Sequence, residues 1–296
     1  MPSVPSFGTG LPAIQQIPSR VRPWEQEVDG AKILEAARTA EAAGFAWVAC
    51  SDHPSIPVSR AQAMGPTWFD AGSTLAFVAG VTTRIRLMPH VLVLPYRHPL
   101  LVAKQYGTLD LLSGGRVILG VGSGHVKPEF VALGADYERR GKVTDEYLRV
   151  LAAAWQHDVA YFEGETITFH DMMVWPRPAQ KPRPPFWVGG NSNAAVKRAA
   201  RLADGWIPWE LSPEDFAAKA AYARHLRHDA GRSEPFQLVA PLAASVDTTA
   251  DKVLADINRW REAGATAFHV GIGAETWPQY LDRLAWFGRS VIARVS

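Results

Sequence analysis

Asp52 and His53 stand together at the end of a short apolar run, and His125 closes a second one, Gly120-Val121-Gly122-Ser123-Gly124-His125. An imidazole titrates near neutrality, and a neighbouring carboxylate or backbone acceptor fixes which ring nitrogen carries the proton, so either histidine suits general acid/base work. Adjacent residues on a strand point in different directions, so Asp52 and His53 would serve different partners. A capping or packing role is open to each histidine taken singly, whereas two at the ends of different strands would face one cavity. No metal-ligand spacing accompanies them, and Gly122-Ser123-Gly124 lacks the Gly-x-Ser-x-Gly arrangement of a serine nucleophile.

Glycine carries a second signal. Gly189-Gly190-Asn191-Ser192-Asn193 lies between an apolar strand and a helical stretch. Backbone N–H groups can approach an anion closely there, and a helix start adds partial positive charge. The segment reads equally as a phosphate cradle or as a tight turn with a polar cap. Gly120-x-Gly122-x-Gly124 imitates a dinucleotide fingerprint, but its third glycine comes one residue early, and Asp145 and Glu146 fall within a helical stretch.

The elements that must position these groups follow a repeating grammar. A helix-period segment is stopped by glycine and followed by a short apolar strand ending in Gly, Ser, Asp, His or Pro. Ile33, Leu34, Ala37 and Ala40 form one helical stripe, Gly44 stops it, and residues 45–50 read as a strand leading into Ser51-Asp52-His53. Further strands are predicted over residues 85–94, 116–121, 185–189, 206–209, 237–246 and 267–272, with a weaker one at 3–8. Helix starts are expected at Ser212-Pro213 and at Thr248 or Thr249. Parallel strands need crossovers, so eight such units predict an α/β fold closed into a (β/α)8 TIM barrel. Residues 159–185 break the rhythm with alternation around Gly164 and then five prolines. They read as a short hairpin and Pro-rich insertion before the fifth strand, within a single domain over residues 1–296.

With 31 Lys plus Arg against 29 Asp plus Glu, the formal charge of +2 favours no nucleic-acid partner. A 47% hydrophobic content excludes wholesale disorder, and no segment approaches a membrane span. The lone Cys50 reads as strand core and suits a reducing, cytoplasmic compartment. The site is expected where the C-terminal strand ends converge, and Trp68, Trp175, Trp187, Trp206 and Trp209 are placed near that open face. Such a rim suits a planar organic cofactor.

Four separated stretches resemble the bacterial luciferase-like monooxygenase superfamily, most closely its branch using the deazaflavin coenzyme F420. They are Ala42-Ala43-Gly44-Phe45 through Ser51-Asp52-His53, Val91-Leu92-Val93-Leu94-Pro95-Tyr96-Arg97-His98-Pro99, Thr108-Leu109-Asp110-Leu111-Leu112-Ser113-Gly114-Gly115-Arg116 through Gly124, and Pro185 to Asn191 with Arg198 to Trp206. The resemblance implies a barrel holding a flavin or deazaflavin in its C-terminal mouth, as a homodimer. With it His53 is read as catalytic, joined by His125 from its own strand-end position, and Asp52, His90, Val91, Gly122, Ser123, Gly124, Gly189, Gly190, Asn191, Ser192 and Asn193 are read as cofactor-binding. In detail, Asp52 would lie against the deazaflavin, His53 near the hydride-transfer position, a cis peptide at His90-Val91 beneath the ring, and residues 189–193 around the phosphate.

The sugar-phosphate dehydrogenase branch carries Glu where this sequence has His125, and its Trp after Asp-His is also missing, so sugar-phosphate oxidation is not expected. The reading is an F420-dependent oxidoreductase moving a hydride to or from a small carbonyl, alcohol or activated double bond. The alternatives are an FMN-dependent monooxygenase using reduced flavin and O2, and a non-catalytic flavin or F420 carrier. The substrate is expected to be read by variable loops and the 159–185 insertion.

Overall fold

The computed structural model describes residues 4–295. Its strands are β1 (Ser6–Gly10), β2 (Trp47–Cys50), β3 (Arg86–Pro89), β4 (Leu92–Val93), β5 (Leu119–Gly122), β6 (Ala160–Glu163), β7 (Thr168–Met172), β8 (Phe186–Gly189), β9 (Gly205–Ile207), β10 (Gln237–Ala244) and β11 (Ala267–Ile272). All except β6 and β7 pair in parallel, in the order β3-β2-β1-β11-β10-β9-β8-β5-β4. β3 and β4 are two halves of one barrel strand, interrupted by a cis peptide between His90 and Val91, as the resemblance implied. Leu87 closes the ring by donating its N–H to Arg116 and accepting from Ile118, at 2.9 and 3.0 Å. Eight strand positions therefore form a (β/α)8 barrel, with the β6/β7 hairpin inserted before the fifth. The weak N-terminal strand starts three residues and ends two residues later than expected, and Ser3 lies outside the described residues.

The connections hold α1 (Gly30–Ala42), α2 (Val58–Met64), α3 (Ala71–Ala79), α4 (Pro99–Leu112), α5 (Lys127–Ala132), α6 (Arg140–Gln156), α7 (Asn193–Leu202), α8 (Pro213–Asp229), α9 (Ala250–Glu262) and α10 (Trp277–Phe287). Ser212 and Thr249 accept the N–H groups of Asp215 and Lys252, as N-cap residues do. Gly44 and Gly264 take positive φ, 89° and 100°, where α1 and α9 turn into the next strand.

Strand alternation sorts side chains into two shells. Phe7, Val48, Leu87, Leu119, Val188, Leu238 and Phe268 pack outward against the helices. Trp47, Met88, Ile118, Trp187, Ile207 and Val239 fill the lower barrel interior. Trp47 and Trp187 meet edge to face at 5.1 Å, and Gly8 supplies the space, since a Cβ there would lie 1.9 Å from the Trp47 ring. Higher up, the inward positions shrink to Gly10, Ser51, Gly122, Gly189, Ala243 and Gly271. A Cβ on Gly10 would touch nothing within 4 Å, and Ala243 and Gly271 are exposed although they belong to barrel strands. The interior is plugged below and open above.

The insertion packs against α6 rather than over that opening. Glu146 on α6 accepts the N–H groups of Glu165, Thr166 and Ile167 and the Thr166 hydroxyl, at 2.7–3.1 Å, and so pins the hairpin turn. Membrane insertion by helices finds no candidate, because no described helix is long and apolar enough to cross a bilayer.

Val91 bulges inward from the broken strand and takes the volume that side chains on two neighbouring strands would need. A Cβ on Gly122 would lie 2.7 Å from Val91 Cγ2, and one on Gly189 2.8 Å from Val91 Cγ1. Gly122→Ala should therefore overpack the mouth at a cost of about 1–3 kcal/mol. Thermal melts should show Gly122→Ala less stable than the parent, and adding Val91→Ala should recover part of the loss; purely additive effects would contradict the close fit.

Candidate active site

The mouth is organised by a carboxylate that the sequence reading did not single out. Glu129, on the short α5 that opens after β5, is 1% exposed. Its Oε2 meets His53 Nδ1 and the Tyr96 hydroxyl, each at 2.8 Å, and its Oε1 accepts the Ser55 N–H at 3.1 Å. Burial alone would raise its pKa, yet the donors from His53, Ser55 and Tyr96 outweigh that and hold it below the ordinary carboxylate value. An ionised Glu129 accepts only, so the proton between the pair resides on His53 Nδ1. That leaves His53 Nε2 as the nitrogen available for exchange. Burial and the adjoining Glu129 charge push the Tyr96 hydroxyl far above its usual range, so it remains a donor.

Asp52 makes contacts that the resemblance did not imply. It is 3% exposed, and its two oxygens accept from Arg97 at 2.6 and 2.7 Å, with the Val93 N–H at 3.2 Å. Both oxygens are thus committed to fixing the broken third strand. Asp52 thereby seats the segment that carries Val91 to Arg97.

His53 and His125 do share one cavity, with ring centroids 6.0 Å apart and perpendicular planes. His125 stands on the exposed rim, and partial burial together with the His53 ring lowers its pKa. Trp68 covers the other side of His53, edge to face at 4.5 Å. His90 points inward, half-buried, 4.4 Å from His269, and burial lowers its pKa to about 4.

The glycines serve packing as much as ligand approach. Gly122 and Gly189 accommodate Val91, while Gly124, with φ of 74°, leaves room for Val93 and Phe130. Ser123 lies half-buried between them. At the other loop, Gly190 accepts the Trp206 indole N–H at 2.8 Å. Asn191 exchanges two hydrogen bonds with the Trp209 backbone, at 2.6 and 3.1 Å. Ser192 caps α7 through the Ala195 N–H, and Asn193 accepts from Lys219 at 3.3 Å. Both Asn193 and Ala194 are exposed, at the helix start, where the first N–H groups have no intrahelical acceptor. Of the five tryptophans expected at the mouth, Trp187 belongs to the interior plug and Trp206 to the outer shell, and Trp175 lies in the insertion. Trp68 and Trp209 remain near the loops, since side-chain parity on a strand, not sequence distance, decides the side.

The profile of the luciferase-like monooxygenase family matches residues 15–290. The chain belongs to that family. An uncharacterized protein of Mycobacterium tuberculosis is 36% identical over 270 residues, 84% of this chain and 91% of that protein. The FMNH2-dependent dimethylsulfone monooxygenase of Pseudomonas putida is 28% identical over 243 residues, 75% of this chain and 61% of the monooxygenase. Among solved structures, the coenzyme F420-dependent tetrahydromethanopterin reductase of Methanopyrus kandleri superposes with a TM-score of 0.79, covering 99% of this chain and 100% of the reductase at 19% identity. Membership of the luciferase-like family places this chain among oxidoreductases, in a fold that serves both flavin and deazaflavin chemistry.

The Glu129 contact has a direct spectroscopic consequence. Nitrogen-15 spectra at neutral pH should show the neutral His53 ring predominantly protonated at Nδ1, and Glu129→Gln should shift the population toward the Nε2–H tautomer. An unaltered tautomer ratio in the variant would remove Glu129 from that role.

Proposed function

We propose that the chain is an F420-dependent oxidoreductase acting on a small organic substrate, a carbonyl, an alcohol or an activated double bond. The observation that carries this reading is the His53 imidazole, held by a buried ionised carboxylate at Nδ1 and free at Nε2 beside an open mouth. The residues present fit a tricyclic ring with a phosphate: small inward positions leave room, Val91 offers an apolar support, and the α7 start offers N–H groups. In this reading Val91, His90 and the segment Gly122-Ser123-Gly124 line the ring, and Gly189, Gly190, Ser192 and Asn193 hold the phosphate, with Asn191 fixing that loop to Trp209. When bound, the coenzyme would supply or accept the hydride.

The chain's own part is to hold the substrate and move one proton. Reduction of a carbonyl needs a proton at oxygen as the hydride reaches carbon, and protonated His53 can deliver it from Nε2 while Glu129 stabilises the imidazolium. In the reverse direction neutral His53 takes the hydroxyl proton. His125 stands close enough in the same cavity to share this exchange with bulk water. A depressed His125 pKa keeps it uncharged at neutral pH, so it does not oppose the proton on His53.

A second reading is an FMN-dependent monooxygenase that uses reduced flavin and O2, favoured by the likeness to the Pseudomonas putida monooxygenase. Oxygen uptake with reduced FMN separates it from the first. In this reading the working form is a homodimer, as the resemblance implies, in the reducing, cytoplasmic compartment that the lone Cys50 suits. Exposed Phe77 on α3 and Leu101 and Leu112 on α4 would give a second copy an apolar face. Sedimentation should show Leu101→Glu shifted toward monomer, and an unchanged dimer would move the contact elsewhere.

Titration of the purified protein with F420 and FMN tests the main reading, which expects tighter binding of F420. His53→Ala should keep that affinity while the single-turnover hydride-transfer rate falls by roughly 10²–10⁴-fold. An unchanged rate would take His53 out of the reaction.

A further inference from the structure

Two imidazoles that take no part in the proton transfer, His90 and His269, form the floor of the mouth. His269 on β11 shares its inward face with Ala267 and Gly271, and His90 follows β3 on the face of Met88. Their rings meet at 4.4 Å and 71°. Among the described residues neither ring forms a hydrogen bond to protein, and His269 Nδ1 is buried without a partner. Such an atom costs stability until a ligand or water completes it.

Burial lowers the His90 pKa to about 4, and burial together with the neighbouring His90 ring drives that of His269 well below its usual value. Both are neutral at physiological pH, and a neutral imidazole offers one N–H donor and one acceptor nitrogen. The pair therefore presents donors and acceptors, without charge, at the bottom of an apolar-walled opening. Little covers it. The inward positions one step further along β11 and its neighbours β1 and β10 are Gly271, Gly10 and Ala243; a Cβ on Gly10 would touch nothing within 4 Å, and one on Gly271 nothing nearer than 3.9 Å. Directly after His90 comes Val91, the apolar support of the floor.

A ligand that suits this surface is uncharged and planar, with a donor and acceptors side by side on one edge and hydrocarbon on its face. A cyclic imide has that pattern, and it is the pyrimidinedione edge shared by flavins and deazaflavins. We propose that His269, together with His90, binds the pyrimidinedione edge of the ring and so anchors it independently of the phosphate loop. This inference rests on the ring-cofactor reading above but not on the choice between F420 and FMN.

The test titrates the wild type, His269→Leu and His269→Asn with FMN and F420, and with lumiflavin and the phosphate-free deazaflavin chromophore, by fluorescence quenching. His269→Leu should weaken the whole cofactor and the matching phosphate-free ring by the same factor, about tenfold or more, and His269→Asn should recover most of it. Because Leu removes an unpartnered polar atom, the melting temperature should not fall. Unchanged affinities would overturn the proposal, as would weakening confined to the phosphorylated ligands. Should His269→Leu fail to fold, the wild-type His269 ring-nitrogen resonances decide: a shift on ring binding supports the contact, and no shift overturns it. A wild type that takes up neither FMN nor F420 would instead defeat the cofactor reading itself.

Discussion

One buried carboxylate ties the mouth of this barrel together. Glu129 comes from the segment after β5, His53 and Ser55 from the segment after β2, and Tyr96 from the segment after β4, so a single charge draws three loops onto one point. An ionised group at 1% exposure persists only when several donors satisfy it, and here three do. Removing any donor would weaken the constraint on the others. The tautomer of His53, its orientation beside Trp68 and its distance from His125 all follow from that anchor.

The second constraint is volume. Large side chains fill the lower interior, and small ones leave the upper interior free, so the barrel is a solid body with a cup at one end. Val91 marks the transition, because its isopropyl group is admitted only where Gly122 and Gly189 lack side chains. Asp52 and Arg97 fix the strand segment that carries it. A planar ligand resting on Val91 would have His90 and His269 beneath and the protonic pair His53 and Glu129 to one side. Polar work is thereby divided between a neutral floor and an ionised wall.

Most of the barrel was legible in the sequence because its signals are local. Glycine after a helical stripe, as at Gly44 and Gly264, and caps such as Ser212 and Thr249 depend on a few neighbouring residues. The convergence of residues 53, 125 and 189–193 on one face followed from the barrel's topology, and the cis peptide at His90-Val91 from the family resemblance. Glu129 escaped because its partners lie 33 to 76 residues away, although an acid in the first turn of a helix just after a strand end was a usable hint. The pairing of Asp52 escaped for a related reason: adjacency to His53 says nothing about Arg97, 45 residues on, which donates to both its oxygens. Trp187 and Trp206 were misplaced because one residue of register decides whether a strand side chain enters the barrel or leaves it.

Carbon-13 NMR of the Glu129 side-chain carboxyl as a function of pH addresses the anchor directly. Donors from His53, Ser55 and Tyr96 stabilise the charged form, so its midpoint should fall below the ordinary 4.5, with the associated stability present at neutral pH and lost as pH drops through that midpoint. A midpoint at or above 4.5 would mean that burial prevails over the donors, and Glu129 would then not be the charge that organises the site.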